Sequence, residues 1–497
     1  MEQYDHPYTG SDKRPTLADS RMGGDVQIPT GWRYKRTKIG PVSLPYYASP
    51  EAQLLLVSFV CFLCPGMFNA LSVFGGAGLN DDYASTIAFC ATYAALAVVA
   101  FFAGAAINAL GIRLTICFGS IGYSIFISSI FCYSKTQNLG YVKFASVLLG
   151  CCAGVLWAAQ GAIIMSYPQE HLKGRFLAWF WTIFNLGGVV GSLVELGLNS
   201  KNNSAGKGVS DGTYVAFLLL TFSGACLSWT FLDSKHIVRR DGSRVILMRQ
   251  PTWKSELLGL WQTLATDPYI IFLFPMFFAS NFFYTYHYND FNFDRFDPRT
   301  RALNSTLYWL AQMIGALIFG FALDLSNIRR TTRAKAAWIA MFALTFAIWG
   351  GGYVFQRSFT RETKEPGYDW NSAGYTGPMF LYMAYGFYDA AWQVTVYWFM
   401  GAITNNGRKL ANFAGFYKGI QSAGAAIIWR ADGLGAPYMS IFVACWALLA
   451  GSLLIALPVM IWKIKDTVPV EEDLKFTDEL MEDVMPSHFY DYSVEQK

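Results

Sequence analysis

Long apolar blocks, each sufficient to cross a lipid bilayer, restrict this chain more than any other feature. They fall near 52–74, 84–107, 112–132, 142–166, 175–198 and 212–232. Six more fall near 268–290, 301–323, 334–356, 376–400, 410–430 and 437–462. A hydrocarbon core of roughly 30 Å takes about 20 helical residues, so such blocks read as spanning helices. Only 14% of the residues are charged, against about 25% in a soluble domain, which rules out a chain of ordinary soluble domains. The pattern predicts an all-α integral membrane protein with twelve transmembrane helices.

The blocks divide into two sets of six. The predicted organisation is a basic N-terminal segment 1–46, a six-helix half 47–232, a central loop 233–267, a second six-helix half 268–462 and an acidic tail 463–497. The N-terminal segment carries Lys13, Arg14, Arg33, Lys35, Arg36 and Lys38 but no apolar core of a cleavable signal, so the first span is expected to act as its own membrane signal. Cations set orientation. They concentrate in the N-terminal segment, in the central loop (Lys235, Arg239, Arg240, Arg244, Arg249, Lys254) and after the eighth block (Arg329, Arg330, Arg333, Lys335). These fall on one side, predicted to be cytoplasmic with both termini. Arg295, Arg299, Arg301, Arg357, Arg361 and Lys364 lie on the other, so the bias is real but incomplete. Asn202-Asn203-Ser204 supplies an N-glycosylation sequon on the predicted outer side, with Asn202 as acceptor. A second sequon, Asn304-Ser305-Thr306, lies too near the eighth block to be reached. The tail acids are expected to form a solvated, mobile end.

The nine cysteines all fall inside apolar blocks. Cys61 and Cys64 have C-x-x-C spacing, but on a membrane helix they read as small packing residues. There is no P-loop, no metal-spaced His/Cys cluster and no nucleophile elbow. Gly75, Gly76 and Gly78 follow a helix pattern, not a strand, so they are no dinucleotide fingerprint. No enzymatic activity, cofactor or nucleic-acid partner is expected. The net charge of +4 is small.

One decapeptide occurs twice. GAAINALGIR (104–113) follows the second block and GFALDLSNIR (320–329) the eighth, equivalent places in two halves. GRFLAWFWTIFNLGG (174–188) and ANFAGFYKGIQSAGA (411–425) echo each other at the fifth and eleventh blocks. Paired echoes of this kind mark an internally repeated transporter whose site lies between the halves near the midplane.

The decapeptide resembles the G-x-L-x-D-R-x-G-R-R loop motif of the major facilitator superfamily. Gly104, Gly111 and Arg113 match in the first copy, with Asn108 at the acidic position. Gly320, Asp324 and Arg329 match in the second. Glycine lets helices approach closely, and a carboxylate can face the positive N-terminal end of a helix. The resemblance implies a cytoplasmic latch that holds when the cavity faces outward. Asn108 lacks the charge of Asp324, so the first-half latch is expected to be weaker and pH-independent, and Asn108→Asp to favour the outward-facing state.

A narrower resemblance covers residues 45–465. Leu156, Trp157, Ala159, Gln160 and Gly161, then Lys173, Gly174, Phe176, Phe180, Trp181, Ile183 and Gly191, are similar to the fourth and fifth helices of the Unc-93-like family. CPGMFNALSVFGGAG (64–78) resembles fungal members in particular. The family includes trafficking chaperones and channel-associated subunits beside transporters. The resemblance therefore implies the fold more firmly than the activity.

Polar residues inside the blocks are the site candidates, because ionisable groups in hydrocarbon are expensive and face cavities or partners. Asp389, in the tenth block, and Lys418, in the eleventh, lie at depths that differ by about 4–5 Å at 1.5 Å per residue. A direct or water-bridged pair is expected between them. As a functional pair they would take a proton or bind substrate; as a structural pair they would tie two helices together. Asn69, Gln160, Asn185, Asn281 and Gln393 line the cavity by the superfamily's architecture, or else act as interhelical clasps. His287, within NFFYTYHYNDFNFDRF (281–296), is expected at an aromatic outer gate, titrating near neutral pH, or in an interfacial aromatic belt.

Two functions follow. The first is a secondary transporter of a small organic solute or ion, working by alternating access, including metabolite export. The alternative is an accessory protein that escorts or regulates another membrane protein.

Overall fold

The computed structural model of the chain describes residues 29–36, 38–39, 42–69, 82–199, 211–245, 253–363 and 368–474. Its helices are α1 (Pro50–Cys61), α2 (Asp82–Leu110), α3 (Ile112–Thr136), α4 (Leu139–Ser166), α5 (Lys173–Asn199) and α6 (Asp211–Ser228). They continue with α7 (Trp253–Thr266), α8 (Phe274–Ala279), α9 (Pro298–Leu323), α10 (Arg330–Gln356), α11 (Thr376–Ile403), α12 (Gly407–Gly433), α13 (Tyr438–Pro458) and α14 (Val470–Leu474). The ends follow local chemistry. Ser49, Asn138, Asp297 and Asn406 cap α1, α4, α9 and α12 by accepting a backbone N–H two or three residues into the helix. Gly111 alone separates α2 from α3, and its φ of +84° is a conformation other residues rarely adopt. A π turn around Pro65 carries α1 on to Asn69.

Eight of the described helices are long and apolar enough to span a membrane: α1 with its extension, α2 to α5, α9, α10 and α13. The remaining expected blocks differ in instructive ways. The seventh, 268–290, is not one regular rod: Pro268–Leu273 is a 3₁₀ stretch and Phe274–Ala279 α-helical. At its start Pro268 cannot continue the hydrogen-bond ladder, and Leu257–Thr266, a helix within the expected central loop, meets Pro268–Ala279 at 89°. A π-helical stretch, Tyr286–Phe293, follows. The apolar part of α6 is short. The helices α11 and α12 run 28 and 27 residues, as long as the others, but carry many polar side chains. Every residue of α11 from Tyr388 to Ile403 is buried. A helix walled by protein has no need of an apolar surface.

The helix α2 packs along α4 and α12, and α5 along α9. Within the earlier part α3 lies against α4 and α6; within the later part α9 lies against α11 and α10 against α13. One end of this bundle gathers the connections. Tyr46 Oη donates to the Val238 carbonyl at 2.6 Å, Tyr34 Oη to that of His236 at 2.9 Å, and Arg239 Nε to that of Tyr167 at 2.9 Å. The N-terminal segment thus folds onto residues 234–245, with a two-stranded hairpin, β1 (Lys38–Ile39) and β2 (Val42–Ser43), beside it. At the same end lie the α4–α5, α9–α10 and α11–α12 junctions and the segment after α13. This end is the connector face.

The segment after α13 corrects one expectation. It is not a free acidic tail over its described length. Asp473 is 2% exposed. It accepts from Thr404 Oγ1 at 2.6 Å and the Asn405 N–H at 3.0 Å, and its carbonyl takes Asn406 Nδ2 at 2.6 Å. Asp466 accepts from the Thr331 N–H and hydroxyl, and the Val468 N–H donates to Glu170. Desolvated junction carbonyls and N–H groups need partners, and these residues supply them.

Candidate functional site

Asp389 is fully buried in α11 and is held by four donors. Tyr308 Oη at 3.0 Å and Gln312 Nε2 at 2.9 Å reach Oδ2. Tyr284 Oη at 3.3 Å and Gln393 Nε2 at 3.4 Å reach Oδ1. Gln393 lies one helical turn along and so shares the face of Asp389. The carboxylate is satisfied by neutral donors, which lets it remain in a dry interior.

Lys418 is not its direct partner. Among the described residues the two make no ion pair within 4 Å. Two amides stand between them: Lys418 Nζ donates to Gln421 Oε1 at 2.9 Å, Gln421 Nε2 to Gln393 Oε1 at 3.2 Å, and Gln393 closes on Asp389. Asn281 Oδ1 accepts from both glutamines, at 3.2 and 2.9 Å, and Tyr417 Oη donates to Gln393 Oε1. Equal depth on antiparallel helices says nothing about azimuth, so the sequence placed the two charges at one level without fixing which way they point.

Around Lys418 stand rings. Its Nζ lies 4.7 Å from the ring centroid of Tyr417, 4.8 Å from that of Trp157 and 5.4 Å from that of Tyr397. Trp157 belongs to α4, so this contact crosses between the two sets of helices. Gln160, three residues on, accepts from Tyr397 Oη at 3.3 Å. Asn185 on α5 is buried, and neither amide atom has a partner among the described residues. Asn69 is half-buried at the end of the α1 extension, and among the described residues no hydrogen bond ties it to this network.

His287 lies inside an aromatic cluster, away from any exposed belt. It is fully buried, its ring 4.3 Å from that of Tyr385 and beside Phe283 and Trp349, with Nδ1 at 3.3 Å from Tyr308 Oη. The π-helical turns rotate this stretch inward, which an aromatic-rich sequence alone does not reveal. Asn304 of the second sequon is buried in α9 and bonded to Asn292 and Tyr375. Asn202 lies outside the described residues.

The decapeptides meet their counterparts at the connector face. Asp324 sits just past α9 and caps α5: Oδ1 accepts from the Gly174 N–H at 2.9 Å and Oδ2 from that of Arg175 at 2.6 Å. This is the carboxylate-to-helix-N-terminus contact expected of it. It is 3% exposed, and burial pushes its carboxyl up to about 6 against the pull of those two N–H groups. Gly320 and Gly174 bring α9 and α5 together. In the first copy, Gly104 lies against Asn412 of α12, where a Cβ would meet the Asn412 backbone N at 2.9 Å. Asn108 differs in kind. Its Nδ2 donates to the Arg408 carbonyl at 3.5 Å, while the first turn of α12 is already capped by Asn406.

The arginines of the motif are placed differently from the glycines and the acid. Arg113 and Arg329 are both exposed; Arg329 is the N-cap of α10 and points out. Two cations buried at this face are Arg330, which pairs with Glu170 and donates to the Gly401 carbonyl at 3.2 Å, and Lys173. Lys173 Nζ reaches the carbonyls of Gly401 at 2.6 Å and Thr404 at 3.2 Å, and Asn405 Oδ1 at 2.8 Å. Sequence reading passed over these roles, although Lys173 and Gly174 open the run that carries the family resemblance. It also passed over Gln312 and Gln421, polar residues inside apolar blocks, the latter one turn from Lys418.

A bundle of long apolar helices with a charged, amide-rich centre and closely packed glycine-lined helix ends is the architecture of a multi-pass membrane protein. The Major Facilitator Superfamily model matches residues 54–429. An UNC93-like protein of Schizosaccharomyces pombe is 46% identical over 469 residues, 93% of this chain and 92% of that one. UNC93-like protein 1 of Arabidopsis thaliana is 38% identical, over 88% of this chain and 93% of that one. Among solved structures the E. coli fucose:proton symporter FucP shares the fold with a TM-score of 0.57 at 11% identity, over 83% of this chain and 99% of that one. The chain belongs to the major facilitator superfamily and, within it, to the UNC93-like proteins.

Proposed function

We propose that the protein is a secondary transporter that moves a small solute by alternating access, with twelve spans in two six-helix halves, 47–232 and 268–462. The observation that carries the reading is the pairing at the connector face. The two halves are joined there by polar contacts that can break and reform, Asp324 to α5, Lys173 to the end of α11 and Arg330 to Glu170. A permanent scaffold would have more use for apolar packing at such a seam. The state described is closed at this face.

The basic N-terminal segment and the central connection support a cytoplasmic connector face, with both termini on that side. Asp389 and Lys418 are the coupling residues of this reading. Because Gln393 and Gln421 link them, a change at one is felt at the other without contact.

The test is Asp389→Asn in a chain that still reaches its membrane, with solute uptake, efflux and proton flux compared with the parent in reconstituted vesicles. Loss of coupled flux is expected. Flux equal to the parent's for every solute and for protons removes Asp389 from the mechanism.

A further inference from the structure

The charges at the centre of the molecule are unequally served. Asp389 has four donors from its own surroundings. Lys418, 5% exposed, has one acceptor among the described residues, Gln421 Oε1. An ammonium offers three N–H groups, and an incompletely paired buried charge is costly. The aromatic rings around it stabilise the cation through their faces but accept no conventional hydrogen bond.

Across the seam from Lys418 a donor also lacks a partner. Gln160 uses its oxygen for Tyr397, and its Nε2 has no partner among the described residues. The rings tie the two groups to one neighbourhood. Lys418 Nζ lies 4.8 Å from the Trp157 ring and 5.4 Å from that of Tyr397, the residue bonded to Gln160, and Trp157 is 5.2 Å from Phe184. Gln160 and Trp157 are three apart on α4 and so share a helix face. Positive charge and the unpaired N–H of Gln160 therefore lie together beside rings of Trp, Tyr and Phe.

We propose that Lys418 and Gln160 bind the carboxylate of a small organic anion whose apolar or aromatic body lies against Trp157, Tyr397 and Phe184. This rests on the alternating-access reading for the site's access from solution, and deepens it by assigning the class of solute. The carboxylate accepts from Lys418 Nζ and from Gln160 Nε2, charge-assisted bonds that neutral solutes cannot match. The ring walls supply the apolar contact that a small-molecule site requires. An organic cation would meet Lys418 with like charge, and Asp389 has no free valence to receive it.

The experiment is equilibrium binding to the purified full-length chain in lipid nanodiscs, read by thermal midpoint and tryptophan fluorescence. The probes are benzoate, phenylacetate and succinate, with benzylammonium as the opposite-charge control. Benzoate and phenylacetate are expected to raise the midpoint and quench fluorescence, benzylammonium to do neither, and Lys418→Gln to weaken benzoate at least tenfold. Lys418→Arg is expected to retain most of the affinity. Gln160→Leu, which leaves no buried charge behind, is expected to weaken benzoate several-fold and serves if Lys418→Gln does not fold. The proposal is overturned if none of the three carboxylates binds, if benzylammonium binds instead, or if both variants bind benzoate as the parent does. Binding needs no transport, so carboxylate binding without flux removes the transporter reading and leaves the site, whereas flux without carboxylate binding does the reverse.

Discussion

Gly174 of α5 and Gly320 of α9 touch backbone to backbone. A Cβ on Gly174 would lie 2.3 Å from the Gly320 carbonyl oxygen, and one on Gly320 would lie 2.5 Å from that of Gly174. No side chain fits at either position without moving a helix. The approach is also what brings Asp324, one turn beyond Gly320, onto the first N–H groups of α5. Close packing and polar capping are therefore one device.

Gly320→Ala is expected to force α5 and α9 apart at the connector face. Overpacking of this kind costs on the order of 1–3 kcal/mol. The matched control is Gly350→Ala, since a Cβ at Gly350 meets nothing within 4 Å. Thermal midpoints in nanodiscs should fall for the first and stay level or rise for the second. Equal midpoints would show that the close approach is not under constraint.

Asp324 makes the closed face pH-dependent. Burial raises its carboxyl to about 6, so between its ordinary range near about 4 and about 6 the closed form holds a proton that an opened, solvated Asp324 has released. The sign is that closure is favoured on acidification and loses up to roughly 2–3 kcal/mol as pH rises through that window. Asp324→Asn should abolish this dependence. Fluorescence-monitored opening of the connector face between pH 4.5 and 7.5 measures it, and a parent profile as flat as that of the variant contradicts the assignment.

The geometry at Asn108 points to an outcome opposite to the one expected from the motif. As a donor to the Arg408 carbonyl, it has no helix N-terminus free to receive a carboxylate. Asn108→Asp would set oxygen against oxygen, so it is expected to loosen the closed face by about 1 kcal/mol. Accessibility of a single cysteine on the far face reports the outcome. Greater accessibility in the variant than in the parent would restore the motif-based expectation.

The segment after α13 straps the connector face. Its bonds reach Glu170 between α4 and α5, Thr331 on α10, and Thr404 and Asn405 between α11 and α12. Asp473→Ala removes two acceptor contacts, each contributing about 1 kcal/mol. Faster proteolysis within 464–474 and easier opening should follow. Unchanged cleavage would mean the strap is held by other contacts.

Much of the fold was legible because hydrophobic length is a strong signal. The block at 112–132 became Ile112–Thr136 and that at 301–323 became Pro298–Leu323, longer only by the turns that Gln137 and Asp297 bound. The start of the seventh block at Pro268 was legible, but not its interior, which passes from 3₁₀ to α to π geometry while its composition stays apolar and aromatic. The glycines of the decapeptides and Asp324 could be placed from pattern, since close approach and capping are local requirements. The partners of Asp389 could not. Tyr284 and Tyr308 look like any membrane aromatics until the helices are set side by side, and helix azimuth separates Asp389 from Lys418. Asp473 looked like a solvated acid because its partners are backbone groups at junctions, which leave no mark in composition.

The claim that the halves alternate is tested most directly by distances at both faces of the same molecule. Spin labels in a cysteine-free background at Arg113 and Asn327, both exposed at the connector face, pair with a second set at Thr136 and Ser358, exposed at the far ends of α3 and α10. Double electron–electron resonance in nanodiscs is expected to show a short connector-face distance and a long far-face distance in the parent at pH 5. As pH rises, or in Gly320→Ala, the first should lengthen while the second shortens. Distances that stay fixed at both faces, or that change in the same direction, contradict alternating access.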